Sequence, residues 1–102
     1  MSSRGVQPPS ACWRVLVSGS VQGVGFRWFT VEQARALGVR GWVRNLTDGR
    51  VEVWVEGPPD AVEAMLAWLA SGPSQAHVQG LERHVETAAG HEGFSVRRSS
   101  LL

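Results

Sequence analysis

A chain of 102 residues carrying ten basic residues, nine acidic ones and a net charge of +1 is of a size that forms one core. So even a balance argues against a polyanion as its partner. Every one of the cations is arginine, which removes Schiff-base lysine chemistry and the Gly-x-x-x-x-Gly-Lys-Ser/Thr phosphate loop. Cys12 is the only cysteine, so no intrachain disulfide can form, and no apolar run approaches the roughly 20 residues of a membrane span.

The elements read as follows. Residues 1–11 hold two prolines and three serines but no apolar core of a signal peptide, and are expected to be a disordered tail. Trp13 to Ser18 alternates apolar and polar, as a central strand does. From Phe26 to Leu37 the apolar residues Phe26, Phe29, Ala34 and Leu37 fall close to a helical spacing, and Gly38 stands where a helix C′ glycine belongs. Val39 to Asn45 is strand-like. Leu46-Thr47-Asp48-Gly49 is a turn, and Arg50 to Glu56 alternates strictly, with Val51, Val53 and Val55 on one face and Glu52, Trp54 and Glu56 on the other. Gly57-Pro58-Pro59-Asp60 opens a second helix, with Asp60 and Glu63 at capping-box spacing. Its apolar stripe is Val62, Met65, Leu66 and Leu69, and Gly72-Pro73 stops it. Ala76, Val78 and Leu81 suggest a fourth strand, broken or bulged at Gly80, and Phe94 to Arg98 a short fifth.

The order β-α-β-β-α-β plus a terminal strand predicts an α+β, ferredoxin-like two-layer sandwich, an antiparallel sheet with two helices on one face. The domain is expected over 12–98, with 99–102 as a C-terminal tail. The other sheet face should be open and display Trp54 among charges.

Chemistry concentrates in Gly19-Ser20-Val21-Gln22-Gly23-Val24-Gly25-Phe26-Arg27. Its three glycines let the backbone curl so that several N–H groups converge, and Arg27 follows at the start of a helix. Oriented amides, a helix N-terminus and a guanidinium fork suit a phosphoryl group. The charge distribution agrees, since residues 1–50 carry seven arginines against Glu32 and Asp48, whereas residues 51–102 carry three against seven acids. A second block, Gly41-Trp42-Val43-Arg44-Asn45, ends a strand on a neutral amide.

These two blocks resemble acylphosphatase. The family's loop, Gly-x-Val-Gln-Gly-Val-x-Phe-Arg, is met at Gly19, Val21, Gln22, Gly23, Val24, Phe26 and Arg27. Its second pattern, Gly-x-Val-x-Asn followed by Asp-Gly, is met at Gly41, Val43, Asn45, Asp48 and Gly49, and Thr30 also matches. The resemblance covers residues 13–98, with the closing strand Phe94-Ser95-Val96-Arg97 fitting loosely. It implies a hydrolase that splits carboxyl–phosphate anhydrides without metal or cofactor. Arg27 would bind phosphate within a cradle formed by Gln22, Gly23, Val24, Gly25, Phe26 and Arg27, and Asn45 would position the attacking water. The implied partner is a small-molecule acyl phosphate, with phosphate or sulfate competing. A cytoplasmic monomer, with neither nucleic acid nor membrane as partner, is expected.

Other classes fit less well. RNA-recognition domains share this layered topology, and Arg40-Gly41-Trp42 mimics the opening of their RNP1 motif, but Val43-Arg44-Asn45 departs from it. A phosphate-binding regulatory domain without turnover would use the same cradle. His77, His84 and His91 recur every seven residues, yet an odd spacing puts His77 and His84 on opposite faces of a regular strand, and no pair at ligand spacing supports a metal site. Trp13, Trp28, Trp42, Trp54 and Trp68 are spread over five elements, so most read as core or sheet surface and not as a stacking platform. Cys12 reads as a small buried apolar residue.

Overall fold

The computed structural model describes residues 10–99. Of the two expected tails only Ser10, Ala11 and Ser99 fall inside that range; the rest lie outside the described residues. Ala11 already opens the first strand. The elements are β1 (Ala11–Ser20), α1 (Phe26–Leu37), β2 (Arg40–Asn45), β3 (Val51–Gly57), α2 (Pro59–Ser71), β4 (His77–Val85) and β5 (Phe94–Val96).

The strands form one sheet in the order β4-β1-β3-β2-β5. The β1–β3, β1–β4 and β2–β3 pairs are antiparallel, as expected of a ferredoxin-like sandwich. β5 lies parallel to β2, so the sheet is mixed and not wholly antiparallel. A long return from β4 across the sheet delivers β5 to the far edge in the same direction as β2, which a tight hairpin could not do.

Valines on the helix side make the centre of the core. Val15 pairs with Val53 and Val17 with Val51, and Val43 pairs with Val53 from the other side. All five are fully buried under Phe26, Ala34, Met65 and Leu69 from the helices. α1 buries Phe26, Thr30, Val31 and Ala34. Phe29, expected on that stripe, is instead 40% exposed, because Thr30 turns inward and satisfies its hydroxyl on the Phe26 carbonyl at 2.7 Å.

α1 ends as expected. Gly38 is left-handed at φ 76°, and the Val39 N–H closes on the Ala34 carbonyl. α2 buries its four expected residues, but the capping box does not form. Pro58 is the cap, with no side-chain hydrogen bond, and Asp60 lies inside the first turn. There its charge favours the helix dipole instead.

The bulge in β4 falls at Gln79, one residue before the expected Gly80, since Ser18 pairs with Gly80 and Gly19 with Val78. It also removes the expected opposition of His77 and His84. They stand opposite Ser20 and Arg14, an even number of residues apart on β1.

The helix-free face is less open than the alternation suggests. Glu52 and Glu56 are both buried. Glu52 sits between Arg14 and Arg44, while Glu56 accepts the N–H groups of Ala89 and Gly90 and the Trp54 indole N–H. The segment between β4 and β5 thus folds over this face, with His91 edge-on to Trp54 and Trp54 stacked on Trp42.

Candidate active site

The glycine loop begins where β1 leaves the sheet. Val21 and Phe26 are buried to about 1% exposure at its two ends and pin it to the core. Gly23 and Gly25 between them are left-handed, at φ 75° and 77°. A Cβ on Gly23 would meet nothing within 4 Å, so this position needs glycine for its conformation and not for space. Gly25 caps α1 without a side-chain hydrogen bond, and the first turn holds no acidic residue. The positive end of the helix therefore faces outward unclaimed. Arg27, in that first turn and half-buried, has no ion-pair partner among the described residues.

Asn45 closes β2 opposite Val51. Its Oδ1 is buried and has no hydrogen-bond partner among the described residues. A buried acceptor without a donor is costly unless water or a ligand supplies one. The adjoining turn is held by Asp48, not by Asn45: the Arg50 N–H and guanidinium both donate to the Asp48 carboxylate. The Arg50 backbone N–H is the main reason that carboxyl is held below the usual carboxylate range. Asn45 is thus left free of the capping task.

Gln22 joins the two blocks. Its Nε2 donates to the carbonyls of Leu46 and Arg50, each at 2.8 Å, and the Leu46 N–H meets that same Arg50 carbonyl. The side chain fixes the loop against the β2–β3 turn, which brings Asn45 alongside it.

A cavity of about 310 Å³ opens between them, lined by Val21, Gly23, Gly25, Phe26, Arg27, Trp28, Asn45 and Val96. Among the residues expected from sequence, Gly23, Gly25, Phe26, Arg27 and Asn45 come together here. Gln22 is engaged at the turn, and Val24 packs against the core. Gly19 and Gly41 serve packing. A Cβ on Gly19 would overlap the His77 carbonyl, and one on Gly41 the Trp54 carbonyl. Trp28, exposed on α1 and so an exception among the tryptophans, and Val96 of the closing strand were not expected at the site. For Trp28 a signal existed: two residues after Phe26 on a helix, it cannot share the buried stripe.

The histidines stay apart from this cavity. Among the described residues no three of His, Cys, Asp and Glu come together as a metal site would require. No described helix is long and apolar enough to cross a membrane.

The family model for acylphosphatase matches residues 13–96. The chain belongs to the acylphosphatase family. It is 53% identical over 80 residues to an acylphosphatase of Chloroflexus aurantiacus, covering 78% of this chain and 87% of that protein. The crystal structure of acylphosphatase from Bacillus subtilis superposes with a TM-score of 0.82 at 35% identity, covering 85% of this chain and 98% of that one. An acylphosphatase from Coxiella burnetii gives a TM-score of 0.83 at 38% identity, over 86% and 93% of the two chains. Members of the acylphosphatase family this similar over nearly their whole length share the two-layer fold that carries the cavity.

Proposed function

We propose that this chain hydrolyses acyl phosphates to carboxylate and inorganic phosphate at the Arg27–Asn45 cavity. The observation that carries the reading is the convergence on one small cavity of a guanidinium, a helix N-terminus and a buried amide oxygen, the last two without side-chain partners among the described residues. Arg27 and the loop N–H groups between Gln22 and Arg27 hold the phosphoryl oxygens. Asn45 Oδ1 accepts a hydrogen bond from the attacking water.

The water oxygen bonds to phosphorus as the bond from phosphorus to the acyl oxygen breaks. The carboxylate leaves with that electron pair, and both of the water's protons stay on the phosphate, which forms as dihydrogen phosphate and then ionises to the solvent. A carboxylate has a pKa near 4, so it departs without protonation and needs no general acid. The transition state is loose, with charge spread over three oxygens. Fixed donors can stabilise it by roughly 3–4 kcal/mol each. An amide at position 45 orients water without adding negative charge beside the phosphoryl dianion.

The residues supply all of this without a metal or cofactor. The substrate is a small molecule, not a nucleic acid or a membrane lipid. The internal pairing of Glu52 with Arg14 and Arg44 supports this, because it neutralises the sheet face that an RNA would use. The protein acts as a monomer, and a lone cysteine suits the cytoplasm.

Benzoyl phosphate hydrolysis, followed with and without EDTA, tests the reading. Activity is expected to be the same in both, with inorganic phosphate and sulfate inhibiting competitively. Loss on chelation that Zn²⁺ or Mg²⁺ restores would refute the metal-free part. No turnover with intact phosphate binding would instead leave a binding domain.

A further inference from the structure

Exposed large apolar side chains are few in this protein, and they are not scattered. Among the described residues they are Trp28 at 61%, Phe29 at 40%, Val85 at 72% and Val96 at 50% exposure. Trp28 and Val96 line the same cavity as Arg27 and Asn45. Phe29 supports Trp28 edge-on, with ring centroids 4.9 Å apart, and its ring would lie 3.4 Å from a Cβ on Gly25. Three of the four thus gather about one opening, although burying Trp28 elsewhere would have stabilised the fold more.

The lining of the cavity is of two chemistries: Arg27, the loop glycines and Asn45 offer charge and polar groups, while the exposed Trp28 and Val96 offer an indole and a valine. A phosphoryl group is only four heavy atoms, and a water in the liquid takes about 30 Å³, so a cavity of about 310 Å³ holds more than the reacting group. Arg27 is also the only cation lining it among the described residues. An acyl group bearing a second phosphate would find no counter-charge there, and a carbamoyl group no polar side chain on the apolar wall.

We infer that Trp28, with Val96, is the specificity-determining wall of this site, and that it selects acyl phosphates with a flat apolar acyl group, aromatic before acetyl or carbamoyl. The inference rests on the proposed hydrolysis and adds to it the class of substrate. The indole offers an aromatic acyl ring a face or edge contact of the kind aromatic pairs prefer. A methyl group would leave most of the indole wet.

The test compares kcat/KM for benzoyl phosphate and acetyl phosphate, whose reacting groups are alike. The wild-type protein should favour benzoyl phosphate by about tenfold or more, the scale on which an apolar pocket distinguishes ligands differing by a few carbons. Trp28→Ala should lower that ratio by about tenfold, mainly by raising KM for benzoyl phosphate. Trp28→Phe should retain most of it. Val85→Ala, which removes the exposed apolar residue that does not line the cavity, should leave the ratio unchanged. Trp28 is largely exposed, so its variants should melt near the wild-type temperature. A wild-type ratio near one, or a ratio unmoved in a folded Trp28→Ala protein, would overturn the inference while leaving the hydrolase reading intact. Failure of the wild-type protein to hydrolyse either compound would instead overturn the hydrolase reading.

Discussion

Arg27 and Asn45 differ in what they offer a phosphoryl group, and their substitutions should separate. Arg27→Gln keeps a donor but loses the charge and the planar fork. Phosphate affinity and turnover should therefore fall together. Asn45→Ala leaves the loop and guanidinium whole and removes only the amide whose oxygen lacks a partner among the described residues. Its kcat should fall by roughly 10²-fold or more, the scale of one lost transition-state contact, while the inhibition constant for phosphate stays near the wild-type value. Asn45→Asp should do no better, because its carboxylate would face the phosphoryl oxygens. Near wild-type kcat in a folded Asn45→Ala protein would remove the water-holding role. Cys12 is a useful contrast. Burial, then the nearby Glu56 and Glu86 carboxylates, push its thiol up to about 11, so it stays a protonated packing residue at neutral pH.

At the scale of elements, the glycines of the two motifs divide into those that shape the loop and those that let strands meet. Gly23 is left-handed with open space around it. Gly23→Ala should cost only the roughly 1–3 kcal/mol of an unfavourable backbone region. Gly41 is different, since it lies at φ 141° and an added methyl would overlap the Trp54 carbonyl on the neighbouring strand. Gly41→Ala should therefore lower stability by more than that backbone cost, through separation of β2 from β3 beside Asn45. Urea denaturation of the two variants measures the difference. Equal midpoints would show that β3 yields at Trp54. The Gln22 clamp belongs to this scale too, because it couples the β1–α1 loop to the β2–β3 turn through two carbonyls.

Across the whole molecule, the segment joining β4 to β5 is held at its ends by the Glu86 N–H on the Cys12 carbonyl and the Gly41 N–H on the Gly93 carbonyl, and between them by one buried carboxylate, Glu56. Burial alone would raise the pKa of Glu56, but the Trp54 indole and the Ala89 and Gly90 N–H groups outweigh it, with His91 adding to them, and the net shift is downward. A depressed pKa in the fold means stability that is present above the unfolded-state value and is lost as pH falls through the folded one. Stability should therefore decline from about pH 5 downward. Glu56→Gln should cost about 1–3 kcal/mol at pH 7, because its NH₂ must face an N–H donor. The gap between the two proteins should narrow towards pH 3. Thermal unfolding across that range checks it, and a gap independent of pH would show that the Glu56 charge is not what fastens the segment.

Local patterns were enough to determine much of this protein. The valine alternation of β3, the span of α1 with Gly38 at its end and the apolar stripe of α2 each follow from a period of two or 3.6. The glycine-loop and Asn45 motifs were legible because their backbone geometry needs particular residues at particular spacings. Contacts between distant segments were decided only in the tertiary structure. The parallel placement of β5, the burial of Glu52 and Glu56, and the engagement of Gln22 at the β2–β3 turn all depend on partners more than twenty residues away for at least one contact. So does the wall of the cavity, which Trp28 from α1 and Val96 from the last strand both line. Neither residue has a local pattern that announces the other, because two side chains come to share a cavity only once the sheet order has brought their elements together.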